Sequence, residues 1–219
     1  MKNTRENKKN DQMVFPWPQC LTAFGREDFF VTDCNRDAAT YLDSPDRWTF
    51  PFVLIYGDKG CGKTHLAHTF SDNILQAESL TEGDILQLPM RSVVENVEQV
   101  SSEQILFHLY NHALANNKQI VFTARVLPEF HIADLQSRFN AMPQIKILPP
   151  DDLLMSAVLC KLFSERQVTV DADVIAYLLK HLQRTFVAME KVVEIADQLS
   201  LSQKRAITIP LIKEALEQL

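Results

Sequence analysis

The sequence predicts a parallel α/β sheet domain followed by a small all-helical domain. Three observations carry that expectation. Up to about residue 149, apolar runs of strand length alternate with segments of helical periodicity. The first core strand feeds directly into a glycine-rich loop and then a helix. After Pro149-Pro150 every apolar pattern has helical spacing. Strands and helices in alternation make a parallel sheet, and a closing run of helices packs as a layer of its own.

Taken in order, residues 1 to 11 are polar, lack apolar periodicity and read as disordered. Residues 12 to 18 are short and proline-punctuated, and the chain reads as globular from about Cys20. Residues 50 to 56 read as a buried central strand, with Pro51 tolerated only at its start. Leu66, Phe70 and Ile74 recur every four residues, which predicts a helix after the loop. Residues 93 to 97 read as a second core strand. Ser101 and Gln104 form a capping-box pair that opens a helix to about Leu114. Residues 120 to 123 read as a third strand, and Ile145 and Ile147 alternate as a shorter one. The helices that follow are expected over 152–166, 173–182, 185–203 and from 209 onward, the last with Thr208 as cap and Pro210 in its first turn. The expected division is a flexible tail at 1–18, the α/β domain at 19–149 and the helical domain at 150–219.

Composition narrows the class. The chain has 219 residues, 46% apolar and 23% charged, as in an ordinary globular protein with ample core. Its longest apolar stretch, 50–56, is far too short to span a membrane, and no signal peptide is expected, so the expected compartment is the cytoplasm. Cys20, Cys34, Cys61 and Cys160 are widely spaced with no C-x-x-C pair, which fits reduced thiols better than zinc or disulfides. His65, His68, His108 and His112 include helical pairs but lack the acidic partners of a metal site. A net charge of −6 without a dense basic stripe disfavours a large DNA-wrapping surface, so DNA is expected as an indirect partner only.

Three of the five glycines fall in Gly57-Asp58-Lys59-Gly60-Cys61-Gly62-Lys63-Thr64, the pattern G-x-x-x-x-G-K-[ST] between a strand and a helix. Glycines let the backbone curl so that successive N–H groups converge on phosphate oxygens. The helix that follows points the positive end of its dipole at the same anion. Lys63 can reach the β- and γ-phosphates, and the Thr64 hydroxyl can ligate Mg²⁺. ADP or ATP with Mg²⁺ is therefore the expected ligand. Cys61 occupies a freely variable loop position, either a thiol activated by the helix end or a tolerated small residue.

Further motifs carry a resemblance. The run from Ile55 to Leu66, then Phe107-His108-Leu109-x-Asn111, then Thr123-Ala124-Arg125, resembles the AAA+ module of DnaA-type initiators. Asp134-Leu135-x-Ser137-Arg138-Phe139 and Lys161-Leu162-Phe163-x-x-Arg166-Gln167 are similar, more narrowly, to the Hda or HdaA family of shortened DnaA relatives, over about residues 12 to 219. The resemblance implies an AAA+ P-loop sheet domain followed by a helical lid. It implies a nucleotide-bound protein that, held on the DNA-loaded sliding clamp (the polymerase beta subunit), promotes hydrolysis of ATP on the DnaA initiator and so represses re-initiation. DnaA continues past its lid into a helix-turn-helix module; a chain ending at Leu219 is expected to lack one. An autonomous ATPase of the helicase-loader type and a DnaA-like accessory initiation factor stay open as rivals, as does a homo-oligomer.

The resemblance also assigns roles. Glu95 and Asn96 stand where a metal-binding and water-polarising acidic pair belongs. Glu95 can touch Mg²⁺, but an amide cannot act as general base, so weak intrinsic hydrolysis is expected; the plain alternative is that this strand is merely core. Thr123 is the sensor-1 residue or a hydroxyl that satisfies a backbone group. Arg138 is the arginine finger offered to another subunit's γ-phosphate, or a surface arginine paired with Asp134. Arg184 is the sensor-2 arginine of the lid, or a solvated charge. Gln12, Met13 and Phe15 resemble a degenerate clamp-binding peptide, kept extended by Pro16, or fold back on the domain.

Overall fold

The computed structural model describes residues 30–219. Its first helix, α1 (Arg36–Leu42), precedes a central strand, β1 (Phe52–Tyr56), and the loop helix α2 (Lys63–Phe70). The sheet domain continues through β2 (Ile74–Gln76), α3 (Glu82–Leu86), β3 (Arg91–Glu95), α4 (Glu103–Ala115), β4 (Gln119–Ala124), α5 (Ala133–Ala141) and β5 (Gln144–Lys146). Four helices follow: α6 (Asp152–Glu165), α7 (Ala172–His181), α8 (Phe186–Gln203) and α9 (Ile209–Glu217).

The five strands form one sheet in the order β2-β3-β4-β1-β5, parallel at every pairing. A parallel sheet buried on both faces needs continuous apolar strands, and β1 shows why. Phe52 and Leu54 point into one core with Phe122, Tyr110 and Phe139, while Val53 and Ile55 point into the other with Val93, Val121 and Leu66. A third apolar core lies wholly among α6 to α9, around Met155, Leu178, Met189 and Leu211. No helix among the described residues is long and apolar enough to cross a membrane.

Three local expectations are corrected. Ile74 does not continue the loop helix. The chain leaves the helix at Ser71, whose backbone is extended, and Ile74 opens β2 against Val93. Ser71 Oγ fixes that exit by accepting from Asn73 N and donating to Arg91 O. The second core strand ends at Glu95 rather than 97, because Asn96 turns left-handed at φ 56°. The cap of α4 is Ser102, which accepts from Ile105 N, while Ser101 bonds to Glu78 O instead. By contrast Thr185 caps α8 through its hydroxyl, which accepts from Ala188 N at 3.1 Å.

Candidate functional site

The loop between β1 and α2 is already curled. Gly60 and Gly62 hold φ of +78° and +97°, where a side chain is strained. Among the described residues no backbone carbonyl accepts from the N–H of Gly62, Lys63 or Thr64. Those donors sit at the start of α2, the arrangement that receives an anion. Gly57 is fixed by donating to Ala124 O, and Asp58 O accepts from Cys61 N. Lys63 is buried, and its ammonium donates to Gly57 O at 2.7 Å and Asp58 O at 3.0 Å. It is therefore held by the loop's own carbonyls. Burial pushes the Cys61 thiol up, the adjacent Lys63 charge opposing it only in part, so Cys61 is an inert thiol here. Lys59 is exposed, as is Thr64 at the helix start.

Beside this loop the ends of β2, β3 and β4 bring Glu95, Asn96 and Thr123 together. Glu95 is only 6% exposed; Oε2 accepts from Gln76 Nε2 at 3.0 Å, while Oε1 has no partner. Gln76 also accepts from Asn96 Nδ2 at 3.3 Å. The Thr123 hydroxyl, buried at the end of β4, accepts from Asn96 N at 3.3 Å. A buried carboxylate oxygen without a partner costs free energy unless something else fills its lone pairs. The Thr64 hydroxyl and Glu95 Oε1 have the hard-oxygen chemistry that suits Mg²⁺. No cluster of three or more His, Cys, Asp or Glu that could hold a metal ion occurs among the described residues.

Arg138 lies on α5 and is only 28% exposed. Its Nε and one terminal nitrogen bond Asp134 Oδ2 at 3.1 and 3.0 Å, and the other donates to Asn111 Oδ1 at 2.8 Å. The guanidinium carbon also sits 5.0 Å from the centre of the Phe107 ring and 5.2 Å from that of Tyr110. Burial raises the Tyr110 hydroxyl's pKa, with the Arg138 charge acting against it. The structure thus shows the Asp134 pairing, with the guanidinium also resting against two aromatic rings of its own domain.

Arg184 does not lie at the start of a helix but just before the cap of α8. It bonds Asp152 Oδ1 at 2.5 Å and Pro150 O at 3.2 Å. It lines a cavity of about 580 Å³ between the first described segment and the start of α6, with Val31, Thr32, Asp33 and Leu153. The lid residues that touch the phosphate loop are Thr185 and Phe186. Phe186 N donates to Gly60 O at 2.9 Å, and the Phe186 ring lies against Gly62. The residues Gln12, Met13 and Phe15 lie outside the described residues.

The helical part matches the family described as "Hda, lid domain" over residues 154–216. The chain is 25% identical to the chromosomal replication initiator protein DnaA of Helicobacter pylori (strain ATCC 700392 / 26695) over 228 residues, covering 88% of this chain and 50% of that protein. It thus spans about half the length of that curated relative. Its backbone is similar to domain III of the replication initiation protein DnaA from Thermotoga maritima, with a TM-score of 0.74 at 16% identity over 92% of this chain and 98% of that one. These likenesses support a Hda/DnaA-like AAA+ protein, through the lid-domain match over 154–216 and the DnaA relative over most of the chain. The chain is also similar to AMPPCP-bound DnaA from Aquifex aeolicus, with a TM-score of 0.65 at 17% identity over 81% of this chain and 65% of that one.

Two kinds of residue at the site were not legible in the sequence. Gln76 holds Glu95 and Asn96 from an edge strand of three residues, too short to announce itself. Thr185 and Phe186 reach the loop across more than a hundred residues of chain, and the one local signal was the Thr185 cap. The arrangement as a whole can hold a polyphosphate between backbone donors, Lys63 and a metal, and can present a cation from α5 elsewhere.

Proposed function

We propose that the chain is a nucleotide-binding AAA+ regulator. With the DNA-loaded sliding clamp it promotes hydrolysis of ATP bound to the DnaA initiator, and so represses re-initiation of chromosome replication. The observation that carries the nucleotide half is the curled loop with its free N–H groups beside Lys63. The exposed apolar side chains of Val31 and Leu153 beside the lid cavity suit a base. ADP or ATP binds with Mg²⁺, which neutralises phosphate charge when bound; Thr64 and Glu95 would hold it. Lys63 leaves the Gly57 and Asp58 carbonyls and meets phosphate.

The trans-acting half rests on Arg138. A planar guanidinium, always charged, stabilises the charge that develops on a partner's γ-phosphate, and such fingers are worth roughly 10³ to 10⁵ in rate. Asn111, Phe107 and Tyr110 hold it ready, and phosphate takes the place of Asp134. The tail at Gln12, Met13 and Phe15 tethers the chain to the clamp, which is how it meets DNA. Turnover of DnaA-bound ATP, with and without clamp-loaded DNA, tests the reading. Stimulation should require the clamp and vanish in Arg138→Ala while nucleotide binding by the variant persists. Stimulation that survives in Arg138→Ala removes the finger.

One observation favours a second reading. The unpartnered Glu95 Oε1 beside the loop suits an autonomous ATPase of the helicase-loader type. Brisk single-turnover hydrolysis by the isolated chain, lost in Glu95→Gln, would establish it. Asn96 in place of a second carboxylate argues the other way.

A further inference from the structure

We propose that Phe186, with Thr185 before it, is a positioning residue of the phosphate loop, so that the lid clasps the loop and nucleotide affinity depends on lid position. This rests on the nucleotide-binding reading and adds a residue that the reading does not require. The clasp has two parts. Phe186 N donates to Gly60 O at 2.9 Å, which turns that carbonyl toward α8. Because the peptide is planar and trans, fixing the carbonyl fixes the whole plane between Gly60 and Cys61. The second part is steric. A Cβ on Gly60 would lie 2.9 Å from Thr185 Cβ, and one on Gly62 would lie 2.9 Å from Phe186 Cε2. The lid therefore rests directly on the two left-handed glycines that give the loop its curl.

The Phe186 side chain also packs against the apolar core of α6 to α9. One side chain thus joins the lid's interior to the loop. The first turn of α8, Phe186-Val187-Ala188-Met189, carries no charge. The contacts between lid and loop here are a ring and a backbone N–H, while Arg184 bonds Asp152 and Pro150. With Gly60 O held outward, the N–H groups of Gly62, Lys63 and Thr64 stay free for an anion. A lid that swings away releases the loop to other conformations, and affinity falls by the fraction of curled loop that is lost. By linkage, bound nucleotide holds the lid down to the same degree.

The test uses the full chain with Phe186→Ala and Phe186→Leu. Calorimetric titration with ADP and with ATP in Mg²⁺ gives affinity, thermal melting gives stability, and hydrogen exchange of the 57–64 segment in the unliganded protein reads the loop. Phe186→Ala is expected to weaken both nucleotides about five- to tenfold and to speed loop exchange. Phe186→Leu keeps the apolar body in the lid core, so its melting temperature should return toward the parent's while loop exchange stays fast. Parent-like exchange and affinity in Phe186→Leu at parent-like stability would reduce Phe186 to lid packing and overturn the proposal. Unchanged loop exchange in Phe186→Ala overturns it as well. If the parent takes up neither nucleotide and Lys63→Ala behaves the same, the nucleotide reading fails and the affinity half with it, while exchange in the unliganded chain still decides the clasp.

Discussion

Arg138 is held by three attractions at once: the Asp134 carboxylate, the Asn111 amide and the faces of Phe107 and Tyr110. They differ in how easily a partner's phosphate could replace them. An exposed i,i+4 ion pair contributes only about 0.3–0.5 kcal/mol, whereas each ring contact adds about 0.5–1 kcal/mol and also fixes direction. Asp134→Ala should therefore cost little stability, about 0.5 kcal/mol by denaturant melting, and leave stimulation of DnaA hydrolysis intact or raised. A loss of stimulation as large as that of Arg138→Ala would show that Asp134 is needed to aim the guanidinium. Thr123 presents the opposite case. Its hydroxyl is buried and taken by Asn96 N, so Thr123→Val strands a donor and should cost about 1–3 kcal/mol. Thr123→Ser keeps the acceptor and should melt close to the parent. A Thr123→Val chain as stable as the parent would discard the strand-end role and leave only phosphate sensing.

Elements set where these side chains can stand, and the entry to α5 is set by one carboxylate. Glu103, in the first turn of α4, accepts from His131 N at 3.0 Å and Ile132 N at 2.8 Å, and meets the His131 ring at 2.9 Å. Partial burial raises its pKa, but these hydrogen bonds outweigh it and hold the carboxyl below the ordinary glutamate value. A depressed carboxyl contributes stability above its unfolded value, lost as pH falls through the folded one. Melting of Glu103→Gln should accordingly lie below the parent's at neutral pH, with the gap closing in acid. A gap that is constant with pH would mean that the ionised form does not matter. At this scale β1 and β4 were legible in the sequence because strands buried on both faces are apolar throughout. β2 was not, being three residues at an edge, two half-covered and one exposed, and Ile74 happened to fall four positions after Phe70. Ser101 and Ser102 are chemically alike, and only the backbone angles at Ser102 choose the cap. The strand-loop-helix and its curled glycines were legible, since the pattern is contiguous in the chain. Gln76 and Phe186 were not, because nothing local marks a residue whose partner is distant.

At the scale of the whole molecule, the phosphate loop is where sheet and lid meet, and its glycines answer to different bodies. Gly57 is crowded by the Ile147 carbonyl, a backbone atom just past β5 that cannot swing aside. Gly60 is crowded by the Thr185 side chain, which belongs to the lid. Gly57→Ala should therefore push apart the ends of β1 and β5 and lower the melting temperature, with or without nucleotide, by the overpacking penalty of about 1–3 kcal/mol. Gly60→Ala also meets strain at φ +78°, about 1–2 kcal/mol for a side chain in the left-handed region. Part of its effect, however, can be relieved by moving the lid. Its signature should be faster hydrogen exchange at the start of α8 while the sheet strands β1 and β4 exchange as in the parent. Equal acceleration across β1, β4 and α8 in Gly60→Ala would mean that the loop and lid do not move as a separable unit. The two substitutions then distinguish a fold held together at its sheet from one whose lid position is set at the loop.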